Sequence, residues 1–251
     1  MRDDTTASIA LVTGAARRLG RAMALHLAGR GYDIAVHYGR SADEARALAQ
    51  EIAATGRRAV ALEADLADED AAQGLVPAVA ERLGAPSLLV NSAALFERDG
   101  ALDATRAGWD RHMAVNLRAP FVLTQAFARA LPPEREGLVV NLIDQRVWNL
   151  TPNYTSYSVS KVALWGLTRH LALALAPRIR VNAIGPGLAL APDGSDAEAF
   201  RRFERSMPLG RGTTPGEIAR ALDVFIDSPS ITGQMLALDG GQHLGWLPGR
   251  S

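Results

Sequence analysis

The chain has 251 residues, 27 basic against 27 acidic side chains, no cysteine, and 48% hydrophobic residues. The missing cysteines exclude a disulfide framework, thiolate zinc sites, iron–sulfur clusters and thiol nucleophiles, and the zero net charge argues against a nucleic-acid binder that works by counterion release. No apolar run reaches the roughly 18 residues of a membrane span, and residues 1–8 are too polar and acidic for a signal peptide, so a soluble cytoplasmic protein with neither nucleic-acid nor membrane partner is expected.

Along the chain, apolar β-rich runs alternate with longer Ala/Leu/Arg segments of helical period. Ile9–Thr13 reads as a strand and Leu19–Arg30 as a helix. Asp33–Tyr38 is a strand, followed by a helix over Ser41–Thr55 with Ser41 as its N-cap. Arg58–Leu62, Ser87–Asn91, Leu138–Ile143 and Ile179–Ile184 read as strands. Between them lie helices over Glu69–Leu83, Trp109–Ala130 and Tyr154–Ala176. Two short helices fall within Asp196–Ser206 and Pro215–Ile226, before a last strand, Met235–Leu238. Strands separated by single helices imply right-handed crossovers and a parallel sheet covered on both faces. The expected architecture is α/β: one Rossmann-type doubly wound domain over residues 1–251, with about seven parallel strands. The Gly/Pro-rich stretch after the sixth strand suits a lid at about 188–206.

Of the 27 basic residues, 26 are Arg; Lys161 is the one Lys. Lysine is a compact point charge with an adjustable pKa, whereas arginine is a broad fork that stays charged. Codon usage is the competing explanation, but the count marks where to look. Lys161 lies four residues after Tyr157 in Tyr157-Ser158-Val159-Ser160-Lys161, so both share one helix face. A neighbouring ammonium is expected to lower the phenol's pKa from about 10 and make Tyr157 a usable proton donor.

The first strand runs into Thr13-Gly14-Ala15-Ala16-Arg17-Arg18-Leu19-Gly20. A glycine turn from strand to helix leaves N–H groups facing the crevice, and a helix N-terminus there favours a phosphate. The second strand ends His37-Tyr38-Gly39-Arg40-Ser41, without the acid that usually holds ribose hydroxyls. Arg40 and Ser41, with Arg17 nearby, suit a 2′-phosphate instead, which favours NADPH over NADH.

Taken together, these motifs resemble the short-chain dehydrogenase/reductase family over the whole chain. The resemblance adds Asp65-Leu66 after the third strand, Asn91-Ser92-Ala93-Ala94 after the fourth, Asn116, and Pro186-Gly187 after the sixth. It implies that Gly14 and Gly20 shape the phosphate turn and that Leu19, Leu66, Ser92 and Ala93 line the cofactor. Asp65 would bond the adenine amino group, and Asn91 would lie along the cofactor. Asn116 would organise a relay water with Lys161, which would also hold the ribose. Tyr157 would be the acid, and Pro186-Gly187 would border the nicotinamide.

Two departures from the family pattern stand out. Arg18 replaces the middle glycine of the turn, and Asp144 stands where the family has a serine, 13 residues before Tyr157. Together they resemble the pteridine reductase branch, as does His37-Tyr38-x-Arg40-Ser41. Phe96 matches the aromatic that sandwiches a pterin against nicotinamide, and Arg18 would touch the pterin's polar edge. A carbonyl reducer develops an alkoxide, which a carboxylate at position 144 would repel. A carbon–nitrogen double bond instead gains a proton as hydride arrives, which Asp144 and Tyr157 can relay.

The expected activity is therefore NADPH-dependent reduction of a dihydropterin, biopterin or dihydrofolate-like ring. The rivals are a 3-oxoacyl thioester or other carbonyl reductase of the family, and a non-catalytic NADPH-binding sensor. Phe121, Trp148, Trp165 and Trp246 read as core or subunit contacts. No His/Asp/Glu cluster has metal-ligand spacing, and His37 and His243 carry no catalytic assignment. By resemblance the C-terminal Asp239–Trp246 tail is a subunit contact and the assembly a homotetramer.

Overall fold

The structure, a computed structural model, describes residues 8–190 and 196–245. Residues 191–195 of the expected lid, and Trp246, lie outside the described residues. Seven strands form one parallel sheet: β1 (Ile9–Val12), β2 (Asp33–Tyr38), β3 (Ala59–Glu63), β4 (Leu88–Asn91), β5 (Gly137–Leu142), β6 (Ile179–Pro186) and β7 (Met235–Leu238). Their spatial order is β3-β2-β1-β4-β5-β6-β7. The order reverses between β1 and β4, and such a switch point opens a crevice at the carboxyl ends of the strands.

The described residues form eight α-helices: α1 (Arg18–Gly29), α2 (Ala42–Ala53), α3 (Glu69–Arg82), α4 (Arg106–Met113), α5 (Ala119–Ala130), α6 (Thr155–Ala174), α7 (Ala197–Arg205) and α8 (Pro215–Asp227). The buried strands are near-continuous apolar runs, as a sheet covered on both faces requires. One core lies under α1, α2 and α8, around Met23, Leu27, Leu48, Leu222 and Phe225. The other lies under α3, α5 and α6, around Leu75, Val79, Leu123, Phe127 and Leu171.

The expected continuous helix over Trp109–Ala130 is divided. A π-helical turn, Ala114–Arg118, separates α4 from α5. Its cause is Pro120, which has no N–H to give the carbonyl four residues earlier, that of Asn116. The looser turn puts Asn116 inward, at 0% exposure. Ser41 does sit at the N-cap of α2, but its side chain makes no capping bond.

Candidate active site

The strand ends place the chemistry. Asp144 follows β5 by two residues and caps a short 3-10 turn, Gln145–Val147, accepting from the Arg146 N–H at 2.8 Å. Tyr157 lies in the first turns of α6 and donates its hydroxyl to Asp144 Oδ2 at 2.9 Å. One helical turn on, Lys161 is 2% exposed and donates Nζ to the Leu142 carbonyl at 2.8 Å. Its Nζ lies 5.7 Å from the centre of the Tyr157 ring.

The electrostatics follow from burial. Loss of water pushes the Asp144 carboxyl up from its ordinary value, while the Arg146 N–H and charge, Tyr157 and Lys161 pull it down only in part. Burial lowers Lys161 to about 8, against a smaller upward pull from Asp144. Tyr157 corrects the expectation of an acidified phenol. Burial first, and the Asp144 carboxylate beside it second, hold its pKa well above 10. Lys161 does not offset this, because its ammonium is turned onto the Leu142 carbonyl. The phenol therefore keeps its proton at neutral pH and presents it to Asp144.

Asn116 does not bond Lys161. Its Oδ1 accepts from the Leu95 N–H at 2.8 Å, and its Nδ2 donates to the Leu95 carbonyl at 2.9 Å and to Ser160 Oγ at 3.0 Å. It thus ties the loop after β4 to α6. Asp99 makes a second tie across the same gap: its carboxylate accepts from the Ser156 N–H at 3.1 Å and from the Ser156 hydroxyl. This clamp sets Phe96 beside Tyr154 and Tyr157. Phe96 stacks on Tyr154 at 4.5 Å and meets Tyr157 edge-on at 4.6 Å, and it remains 50% exposed.

At the other side of the crevice, Gly14 adopts φ +63°, and a Cβ there would stand 3.0 Å from Ala93 Cα. A Cβ on Gly20 would stand 2.3 Å from the Gly14 carbonyl oxygen. Arg18 also lies in the left-handed region, at φ 53°. The turn therefore keeps the glycine-like backbone although the glycine is gone. No side chain caps α1 at Arg17, which leaves its N-terminus suited to a phosphate. Asn91 donates Nδ2 to Asn141 Oδ1 at 2.8 Å, while its own buried Oδ1 has no partner. A close-approach cradle with an orphaned acceptor fits a bound dinucleotide.

A profile of the family described as enoyl-(acyl carrier protein) reductase matches residues 14–243. The chain belongs to the short-chain dehydrogenase/reductase family. A 3-oxoacyl-[acyl-carrier-protein] reductase of Synechocystis sp. is 32% identical over 243 residues, covering 94% of this chain and 97% of that protein. Pteridine reductase 1 of Leishmania tarentolae is 32% identical over 286 residues, covering 97% and 99%. Among solved structures, FolM Alternative dihydrofolate reductase 1 from Brucella canis, complexed with NADP, is 47% identical with a TM-score of 0.91. That alignment covers 97% of this chain and 98% of the other.

As a short-chain reductase, the chain brings together Asp144, Tyr157, Lys161 and Phe96. Gly14, Arg17, Arg18, Leu19 and Gly20 gather at the first turn, with Asn91, Ser92 and Ala93 beside it. Thr13 Oγ1 accepts from the Ser92 and Ala93 N–H groups at 2.9 and 3.0 Å. Arg40 is exposed at the end of β2, and exposed Arg17 leans toward α2, 3.8 Å from Glu44.

Two cofactor assignments do not match the side-chain positions. His37 is buried and works inside the fold: its Nδ1 accepts from the Gly14 N–H at 3.1 Å and its Nε2 donates to the Ala64 carbonyl at 3.0 Å. Burial lowers its pKa, so it is a neutral clamp on the glycine turn. The Gly14 N–H is consequently committed within the protein. Tyr38 is likewise buried and donates to Glu63 at 3.3 Å. Asp65 is exposed and accepts from the Ala67 N–H at 2.9 Å, while Leu66 packs in the core. Pro186 ends β6 and the Gly187 N–H donates to Leu238 at 2.9 Å.

Sequence reasoning missed Arg146, Tyr154 and Asp99. Tyr154 is a non-glycine residue at φ 64°, a conformation that favours glycine. Among the described residues, no group of three His, Asp or Glu side chains has the arrangement of a metal site.

Proposed function

We propose that this short-chain reductase reduces a pteridine ring, with NADPH as the hydride donor. The Asp144–Tyr157 hydrogen bond carries the reading. NADPH, when bound, supplies the hydride. Arg17, Arg40 and Ser41 would hold its 2′-phosphate, and the N-terminal turn of α1, with Arg18, Leu19 and Gly20, its pyrophosphate. Asp65 and Leu66 would meet the adenine, Asn91, Ser92 and Ala93 the middle of the cofactor, and Lys161 the ribose hydroxyls. Pro186-Gly187 would border the nicotinamide.

The protein's own part is the proton. As a ring carbon gains hydride, the adjacent nitrogen gains negative character and takes the proton of the Tyr157 hydroxyl. Asp144, whose pKa is raised by burial, holds the proton that reloads Tyr157. Phe96, half exposed beside Tyr157, gives a flat ring one face to stack on.

Reduction of a 3-oxoacyl thioester is the competing activity, since relatives of both kinds are equally identical to this chain. There the growing alkoxide would face Asp144 rather than a neutral donor, and a charged carboxylate would raise that barrier. The 47% identity to the FolM protein also favours the pteridine reading. The test is NADPH oxidation against a panel of dihydropterins, dihydrofolate and oxoacyl thioesters. Turnover of thioesters alone would refute the reading. We further propose a cytoplasmic homotetramer whose contacts include exposed Trp148, which packs edge-on against His243 at 5.1 Å beside exposed Leu244.

A further inference from the structure

The proton relay and the cofactor cradle leave one cation at the site without a task. Arg146 stands two residues after Asp144 on the 3-10 turn. Its Nε and Nη1 are buried, and neither has a hydrogen-bond partner. Three rings surround the guanidinium instead: its carbon lies 4.9 Å from the centre of Tyr154, 5.4 Å from Phe96 and 6.0 Å from Tyr157. Aromatic faces attract a cation, but they do not accept its in-plane N–H groups as oxygen does. A buried donor left unmet is costly, so its persistence beside reacting groups points to a partner that arrives with the ligand. Asp144 feels the charge of Arg146. Its carboxylate is nonetheless already held by the Arg146 N–H and the Tyr157 hydroxyl.

We propose that Arg146 is a specificity-determining residue whose guanidinium donates to oxygen acceptors on the side chain of the substrate. This rests on the pteridine reading. The guanidinium carbon lies 6.0 Å from the centre of the Tyr157 ring and 5.4 Å from that of Phe96, so with a ring stacked on Phe96 and its reacting bond at the Tyr157 hydroxyl, the guanidinium would meet a substituent rather than the reacting bond. The site therefore prefers a pteridine carrying an oxygen-rich substituent over the bare ring. A polyol and a carboxylate tail both supply such oxygens, and the experiment separates them.

The test compares wild type with Arg146→Met, which keeps length without donors, and Arg146→Lys, which keeps charge without the fork. Each is assayed for kcat/KM on a methyl-substituted dihydropterin, a polyol-substituted dihydropterin and dihydrofolate, alongside NADPH affinity and assembly state. Arg146→Met is expected to lose about tenfold to a hundredfold on the substrate that supplies the acceptor, and under about threefold on the methyl compound. Arg146→Lys should recover part of the loss. The substrate that loses more, polyol or dihydrofolate, identifies the acceptor. Equal losses on all three, no loss on any, or a change confined to assembly state would overturn the inference while leaving the pteridine reading in place. If wild type turns over none of the three, the pteridine reading falls and this inference with it.

Discussion

Lys161 is a positive charge taken almost wholly out of water, and that cost is measurable apart from catalysis. Burial lowers its pKa from 10.5 to about 8. The folded state thus binds its proton less tightly than the unfolded state. The penalty is fully present below about pH 8 and disappears as pH rises toward 10.5. At about 1.36 kcal/mol per pKa unit, a shift of this size is worth roughly 3 kcal/mol at neutral pH. Lys161→Met removes the titration while conserving much of the side chain's volume. It also removes the bond to the Leu142 carbonyl; the part of that bond that depends on the Lys161 charge is already contained in the pKa of about 8, and the remainder does not vary with pH. The quantity to measure is therefore the difference in unfolding free energy between variant and wild type, from urea titrations at pH 7, 8, 9 and 10. Relative to wild type, the variant should lose about 2–3 kcal/mol between pH 7 and 10 as the penalty on wild type lifts. Parallel pH profiles would refute the claim that this ammonium is desolvated by the fold, and would leave the lone lysine to codon usage.

Arg40→Asp should erase or reverse a preference for NADPH over NADH of at least about 1.4 kcal/mol, or tenfold, read by titration of each dinucleotide; equal affinities in wild type would remove the basis of the assignment. Gly20→Ala forces a Cβ to 2.3 Å from the Gly14 carbonyl, so the turn must open. It should cost about 1–3 kcal/mol in urea denaturation and weaken NADPH binding, whereas an unchanged stability would show that the turn yields freely.

The architecture was legible because each βα unit is local. Apolar runs of four to eight residues broken by helical periods place β1 to β7 within one or two residues of their observed bounds. Tyr157 and Lys161 were legible because they lie one helical turn apart and because Lys161 is unique. What escaped depends on contacts remote in sequence. Asp99 meets Ser156 across 57 residues, and nothing local marks either partner. Arg146 is one of 26 arginines, and only folding shows that two of its nitrogens are buried unpaired. That the His37 and Tyr38 side chains are buried was not legible locally, because it depends on β2 lying between β1 and β3 in a sheet covered on both faces. The π-helical turn had a local sign in Pro120, which a helical apolar pattern overrode.

The central claim is that Asp144 holds and passes a proton, and Asp144→Asn tests it most directly. The amide is nearly the same shape, and with its oxygen toward the Arg146 N–H it keeps that bond, while its NH2 replaces Oδ2 and donates to the Tyr157 hydroxyl instead of accepting from it, so fold and NADPH affinity should be kept. Because burial raises the pKa of Asp144, wild-type turnover of a dihydropterin should fall along an alkaline limb as that carboxyl loses its proton. In Asp144→Asn that limb should vanish and kcat should drop by roughly two orders of magnitude, the contribution of a positioned acid–base group. A variant that binds NADPH normally and reduces the dihydropterin at the wild-type rate, with the same pH profile, would contradict the relay.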